Sequence, residues 1–228
     1  MTRHICVGLL ALAACASPSA PDTPDAAQAA RADAAIDAAA PPPSRDAAPP
    51  PDACGTQVSQ LLVNPAFDMS PRGTGWQQIE AVANSPLITD EDGVAEHTAP
   101  AKAWLGGFEA QLGVVEDALW QEVAIPAHTT QLVLSGVYDV RTSEAASTVA
   151  YDTAELVITD LDGVPIQRVL ALSNKTVKTA WTSFAHAFTQ DLSGRTVRIL
   201  LTSSNDDLDP TSFYFDSFTL TAIHACAN

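Results

Sequence analysis

Past residue 53 the chain alternates between short apolar runs and turn residues, a pattern that predicts strands rather than helices. The runs fall at 60–64, 76–83, 102–106, 118–125, 131–141, 155–160, 167–172, 181–188, 195–202 and 212–223. Leu132, Leu134, Tyr138 and Val140 share one face of their run, and Val197, Ile199 and Leu201 alternate with Thr196 and Arg198. Period-two alternation with one polar face describes a half-buried sheet, and two such sheets bury their apolar sides against each other. Asp162-Gly163 between two runs is a hairpin turn signal. The expected fold is all-β, an antiparallel two-sheet β-sandwich of the jelly-roll kind, over residues 53–228.

The segment before it follows other rules. Ala16 to Asp52 holds 14 Ala, 9 Pro and 6 Asp in 37 residues, with Asp-Ala-Ala recurring at Asp25, Asp33, Asp37 and Asp46. Prolines interrupt any helix and no apolar stripe exists to bury, so the composition predicts a disordered spacer. Fully extended, it would reach about 110 Å at roughly 3.1 Å per residue. Ahead of it, Arg3 precedes an apolar run from Ile5 to Ala14. That run is too short to cross a bilayer core of about 30 Å and reads as a signal peptide.

Leu12-Ala13-Ala14-Cys15 resembles the lipobox of bacterial lipoproteins. The resemblance implies a signal peptide at 1–14, lipidation of Cys15 and a linker over 15–52. Several acyl chains on one residue, at about 0.8 kcal/mol per buried methylene, hold a protein stably at a membrane. A secretory signal with an unrelated cysteine is the alternative. Ala16 and Ser17, rather than Asp, follow the cysteine, which resembles the outer-membrane sorting pattern of Gram-negative lipoproteins. The expectation is therefore an exported protein at the outer membrane or cell surface, touching the membrane through the lipid anchor only.

Export changes the reading of the other cysteines. Cys6 leaves with the signal peptide, and Cys54 and Cys226 remain in an oxidising compartment, which invites a disulfide between them. Two free thiols are the alternative. Charge narrows the partners: three arginines and six aspartates in residues 1–52 leave 8 basic and 21 acidic side chains beyond, a net of −13. Such a domain repels nucleic acid and anionic lipid.

Several motifs in order resemble the galactose-binding-like jelly-roll domains, which include many carbohydrate-binding modules. They are Leu61-Leu62-Val63-Asn64-Pro65-Ala66-Phe67-Asp68 followed by Gly75-Trp76, then Ala103-Trp104-Leu105-Gly106, then Leu119-Trp120-Gln121-Glu122-Val123. Trp181 ahead of Asp191-Leu192-Ser193-Gly194 comes next, and Ser212 to Leu220 closes the series. Pro65-Ala66 and Ser217 depart from the family pattern. The resemblance implies a structural Ca²⁺ shared by Asp68 and Asp216. Strand spacing adds that Asp216 falls on the same face as Phe218, Leu220 and Ala222, where a bare carboxylate costs several kcal/mol unless paired or metal-bound. A turn cap or an Arg or Lys partner would also satisfy it.

By the same resemblance Trp76, Trp104, Trp120 and Trp181 are expected in the core, which leaves no aromatic platform. The acidic turns at Asp90 to Gly93, Asp160 to Gly163 and Asp206 to Asp209 lack EF-hand spacing and read as solvated. No catalytic motif is present. The expected function is a non-catalytic module that binds extracellular or envelope carbohydrate, with a structural or adhesive module for a cell-envelope protein as the alternative.

Overall fold

The computed structural model describes residues 55–108, 113–145, 148–176, 180–206 and 208–225. The expected signal peptide, Cys15, the spacer, Cys54 and Cys226 lie outside the described residues.

Eleven strands are present among those residues. They are β1 (Thr56–Gln60), β2 (Gln77–Ile79), β3 (Ile88–Thr89), β4 (Lys102–Gly106), β5 (Val115–Ala124), β6 (Thr129–Thr142), β7 (Thr153–Thr159), β8 (Pro165–Ser173), β9 (Thr182–Ala187), β10 (Thr196–Asn205) and β11 (Thr211–Ala225). The first sheet runs β3-β4-β11-β6-β9, with β1 also on β11, and the second runs β2-β5-β10-β7-β8. Every pairing is antiparallel. The architecture is the expected jelly-roll β-sandwich.

Alternation explains the core. Val197, Ile199 and Leu201 of β10 are completely buried, as are Leu134 and Val140 of β6 and Leu156 and Ile158 of β7. The β7–β8 turn closes as expected: Gly163 takes the left-handed φ of +84° and the Asp160 carboxylate accepts the Asp162 and Val164 amides at 3.0 and 2.8 Å.

Two elements differ from the sequence expectation. The first strand lies at Thr56–Gln60 rather than 60–64, because Asn64 turns to a φ of +52° and its carbonyl and side chain accept the Phe67 and Met69 amides. The two-residue β3 is too short to leave a periodic signal.

The largest departure is a β-bulge in β11. Asp216 pairs with Val137 and Thr219 with Ser135, so Ser217 and Phe218 together oppose Gly136. Ser217 adopts a φ of +51° there. The extra residue inverts the facing of the strand: Phe213 and Phe215 enter the core before it, and Phe218, Leu220 and Ala222 enter after it. Asp216 is therefore on the opposite face from Phe218, contrary to uninterrupted alternation. Phe218 meets Phe67, Phe184, Phe215 and Trp76 at ring-centroid distances of 5.8, 5.7, 6.2 and 6.4 Å. Its amide donates to the Pro65 carbonyl at 2.8 Å, which joins the opening and closing motifs of the domain.

Candidate functional site

Asp216 faces away from the core and is still completely buried. Its cover is the segment between β3 and β4, which crosses the outside of the first sheet. Asp216 Oδ2 accepts the Thr98 amide at 2.8 Å and Oδ1 accepts the Ser217 amide at 2.5 Å. The segment is clasped elsewhere too: buried Lys102 donates to the Glu91 carbonyl at 2.7 Å and to Glu96 at 3.1 Å, and Trp181 donates to the Ala95 carbonyl at 3.0 Å. Trp104 lies tilted against Tyr214 at 5.1 Å beneath it.

The resemblance pairs Asp216 with Asp68, and the charge of Asp68 is felt at Asp216. Burial pushes the Asp216 carboxyl above the ordinary carboxylate range, backbone amides oppose this, and the Asp68 charge adds to the rise. Among the described residues, Asp68 accepts a long 3.4 Å contact from the Ala101 amide. A desolvated carboxylate within the field of a second one is a donor pair of the kind a hard cation takes, although Asp216 Oδ1 also has the Ser217 hydroxyl at 3.4 Å. Among the described residues no third His, Cys, Asp or Glu joins the pair within ligating reach. Asp90 is held by a two-pronged ion pair with Arg72.

The tryptophans divide. Trp76 is in the core as expected, its Nε1 donating to the Asn64 carbonyl at 3.0 Å. The other three are not core residues: Trp104 and Trp181 support the covering segment, and Trp120 lies on the outer face of the second sheet. In β5 the odd positions Leu119, Gln121 and Val123 point inward, so Trp120 between them points out and is half-buried. Sequence could not decide this, because Leu119 and Trp120 are adjacent and both apolar.

Trp120 is surrounded by groups of mixed character. Gln77 on β2 and Leu200 on β10 are directly opposite it. The Arg198 guanidinium lies over the indole ring, 5.6 Å from its centroid, and bonds Glu122 at 2.8 Å. Further across the same face, Glu155 pairs with Arg168 at 3.0 Å, and Ile79 is exposed at the edge. The indole thus has a guanidinium over its ring and amide and carboxylate groups around it, so its remaining apolar surface lies beside hydrogen-bonding positions.

No family profile and no curated protein matches the chain. Among solved structures, it is similar to TmCBM61 in complex with β-1,4-galactotriose at 14% identity, over 71% of this chain and 98% of that one, with a TM-score of 0.45. It is similar to a family 16 carbohydrate-binding module at 18% identity, over 70% and 98%, with a TM-score of 0.42. The CBM22-1 xylan-binding domain of Xyn10C from Paenibacillus barcinonensis is a third, at 13% identity over 77% and 100%, with a TM-score of 0.42. At these values the likeness does not bear on what this chain binds.

Proposed function

We propose that this protein is an exported, lipid-anchored, non-catalytic module that binds extracellular or cell-envelope carbohydrate on the outer face of its second sheet. Trp120 carries the reading. It is a half-buried indole on a face otherwise occupied by Gln77, Glu122, Arg198 and Leu200. A pyranose presents an apolar C–H face and a rim of hydroxyls, so an indole beside amide, guanidinium and carboxylate groups complements both. Anchoring rests on Leu12 to Cys15, with Cys15 as the lipidated residue. A Ca²⁺ between Asp68 and Asp216 is structural in this reading, tying the start of the domain to β11.

The test is retention on immobilised plant, fungal and bacterial polysaccharides, in calcium, for the wild-type chain and for Trp120→Ala. The expected outcome is binding to at least one polysaccharide, weakened by about tenfold or more in Trp120→Ala with an unchanged melting temperature. Absence of binding across the set, or equal binding by the variant, overturns the proposal. Cys15→Ser is expected to abolish incorporation of labelled palmitate; continued labelling of that variant rules out the anchor.

A protein partner is the second reading. The exposed apolar side chains Val114, Val149, Tyr151 and Leu208, on loops at one end of the sandwich, favour it. Recovery of one stoichiometric envelope protein, lost on replacing Tyr151 and Leu208 but not Trp120, would select it.

A further inference from the structure

We propose that Glu144, Asp152 and Asp206 form a calcium site at the end of the sandwich where the β6–β7 and β10–β11 loops adjoin. The three residues are far apart in sequence and are brought together by pairing. Thr142, which ends β6, is in register with Thr211, which begins β11, and the Ser143 amide donates to the Pro210 carbonyl at 3.0 Å. One carboxylate oxygen from each of the three acids falls in a set whose members lie within 4.8 Å of one another.

Asp152 distinguishes this cluster from an ordinary solvated acidic turn. It is completely buried, its Oδ1 accepts the Asp206 amide at 2.9 Å, and its Oδ2 has no hydrogen-bond partner among the described residues. The Thr211 hydroxyl and backbone amide are near enough to favour the charged form, without meeting hydrogen-bond geometry to Oδ2, and that hydroxyl also contacts the Thr142 hydroxyl at 2.9 Å. Glu144 repeats the pattern, with Oε1 buried and unpartnered. Buried carboxylate oxygens without donors are costly, and two in one cluster of like charge are satisfied by uptake of a proton or of a cation. Lys175, whose ammonium reaches this loop, donates to the Thr148 carbonyl at 2.9 Å.

Electrostatics agree. Burial is the main cause raising the Asp152 carboxyl, and Asp206 pushes the same way. Burial also leads for Glu144, followed by the charges of Asp152, Asp206 and Asp209. A divalent cation would oppose these contributions by favouring the charged carboxylates. The donor set selects the ion. Oxygen alone, without His or Cys, favours a hard cation over zinc or copper. Calcium–oxygen distances of about 2.3–2.6 Å place ligands up to roughly 5 Å apart across the ion, a span this set fits. Water and backbone carbonyls complete a shell of that kind. This site is separate from the Asp68 and Asp216 pair and does not depend on the carbohydrate reading.

The test is isothermal titration of calcium chloride alone into the chelator-stripped full chain and into Asp152→Asn, Glu144→Gln and Asp216→Asn. Asparagine at 152 keeps an acceptor for the Asp206 amide, and circular dichroism verifies each fold. The expected result is a calcium-binding event weakened by at least about tenfold in both Asp152→Asn and Glu144→Gln and retained in Asp216→Asn. If Asp152→Asn does not fold, the partly exposed Glu144→Gln decides alone. No calcium uptake by the wild type up to about 5 mM, beyond the range of weak extracellular sites, overturns the proposal. So does wild-type binding by Glu144→Gln, or an event lost only in Asp216→Asn.

Discussion

Replacing Gly136 by alanine tests the bulge on which the facing of β11 depends. An ideal Cβ at position 136 would lie 2.2 Å from Cδ1 and 2.8 Å from Cε1 of Phe218, and 3.1 Å from Cε1 of Phe184. Carbon atoms rest at roughly 3.5–4.0 Å, so the Phe218 ring would have to retreat by more than about 1 Å. It has nowhere to go, because Phe67, Phe184, Phe215 and Trp76 surround it with centroids between 5.7 and 6.4 Å away. Overpacking of this kind costs about 1–3 kcal/mol. The reduced entropy of the unfolded chain returns about 0.4–1 kcal/mol. The net loss is about 0–2.6 kcal/mol, and at roughly 2–4 °C per kcal/mol for a domain of this size the melting temperature should fall by up to about 10 °C.

Thermal unfolding followed by circular dichroism or calorimetry measures this directly. Adding Phe218→Leu to Gly136→Ala opens space for the new methyl group, so the double variant should lose less than the sum of the two single losses. A raised melting temperature in Gly136→Ala, or full additivity in the double variant, would mean that Phe218 does not pack over position 136. The inversion of faces at Ser217, and with it the outward placement of Asp216, would then be wrong.

Three further outcomes are expected. Asp117, Asp152 and Asp216 each have a carboxyl raised above the ordinary range, mainly by burial. Between the unfolded and folded values the native state binds more protons, so these groups lower stability as pH rises through that window. In calcium-free buffer the melting temperature should therefore climb as pH falls from 7 toward about 4, and a steady decline over that interval would contradict the assignment. In an Asp152→Asn background, which isolates the other metal proposal, chelation should lower the melting temperature and Asp216→Asn should remove the sensitivity. Identical melts with and without chelator would eliminate an ion between Asp68 and Asp216. Last, alkylation of the exported chain should label Cys54 and Cys226 only after reduction. In the chain-entropy account their bridge would stabilise the domain by about 4–5 kcal/mol, and labelling without reductant would refute it.

Local pattern determined much of the architecture. Alternation at Val197, Ile199 and Leu201 and at Leu132, Leu134 and Val140 placed these side chains in the core, because strand geometry sends every second residue to the same side. Asp162-Gly163 announced its turn through the left-handed conformation that glycine accepts easily. The motifs around Asn64 to Asp68 and Phe213 to Leu220 marked two ends of one clasp, now joined by the Phe218 amide and the Pro65 carbonyl.

Three features required the tertiary structure, each for the same reason. The bulge at Ser217 and Phe218 depends on Gly136 in the partner strand, so alternation read within β11 alone puts Asp216 on the wrong face. Trp120 and Leu119 are equally apolar neighbours, and only the second sheet closing on the first decided which of them became surface. Glu144, Asp152 and Asp206 look like separate loop acids until the pairing of Thr142 with Thr211 draws their loops together. Period and turn chemistry act over a few residues and can be read along the chain, whereas facing and charge clustering depend on which distant strands become neighbours.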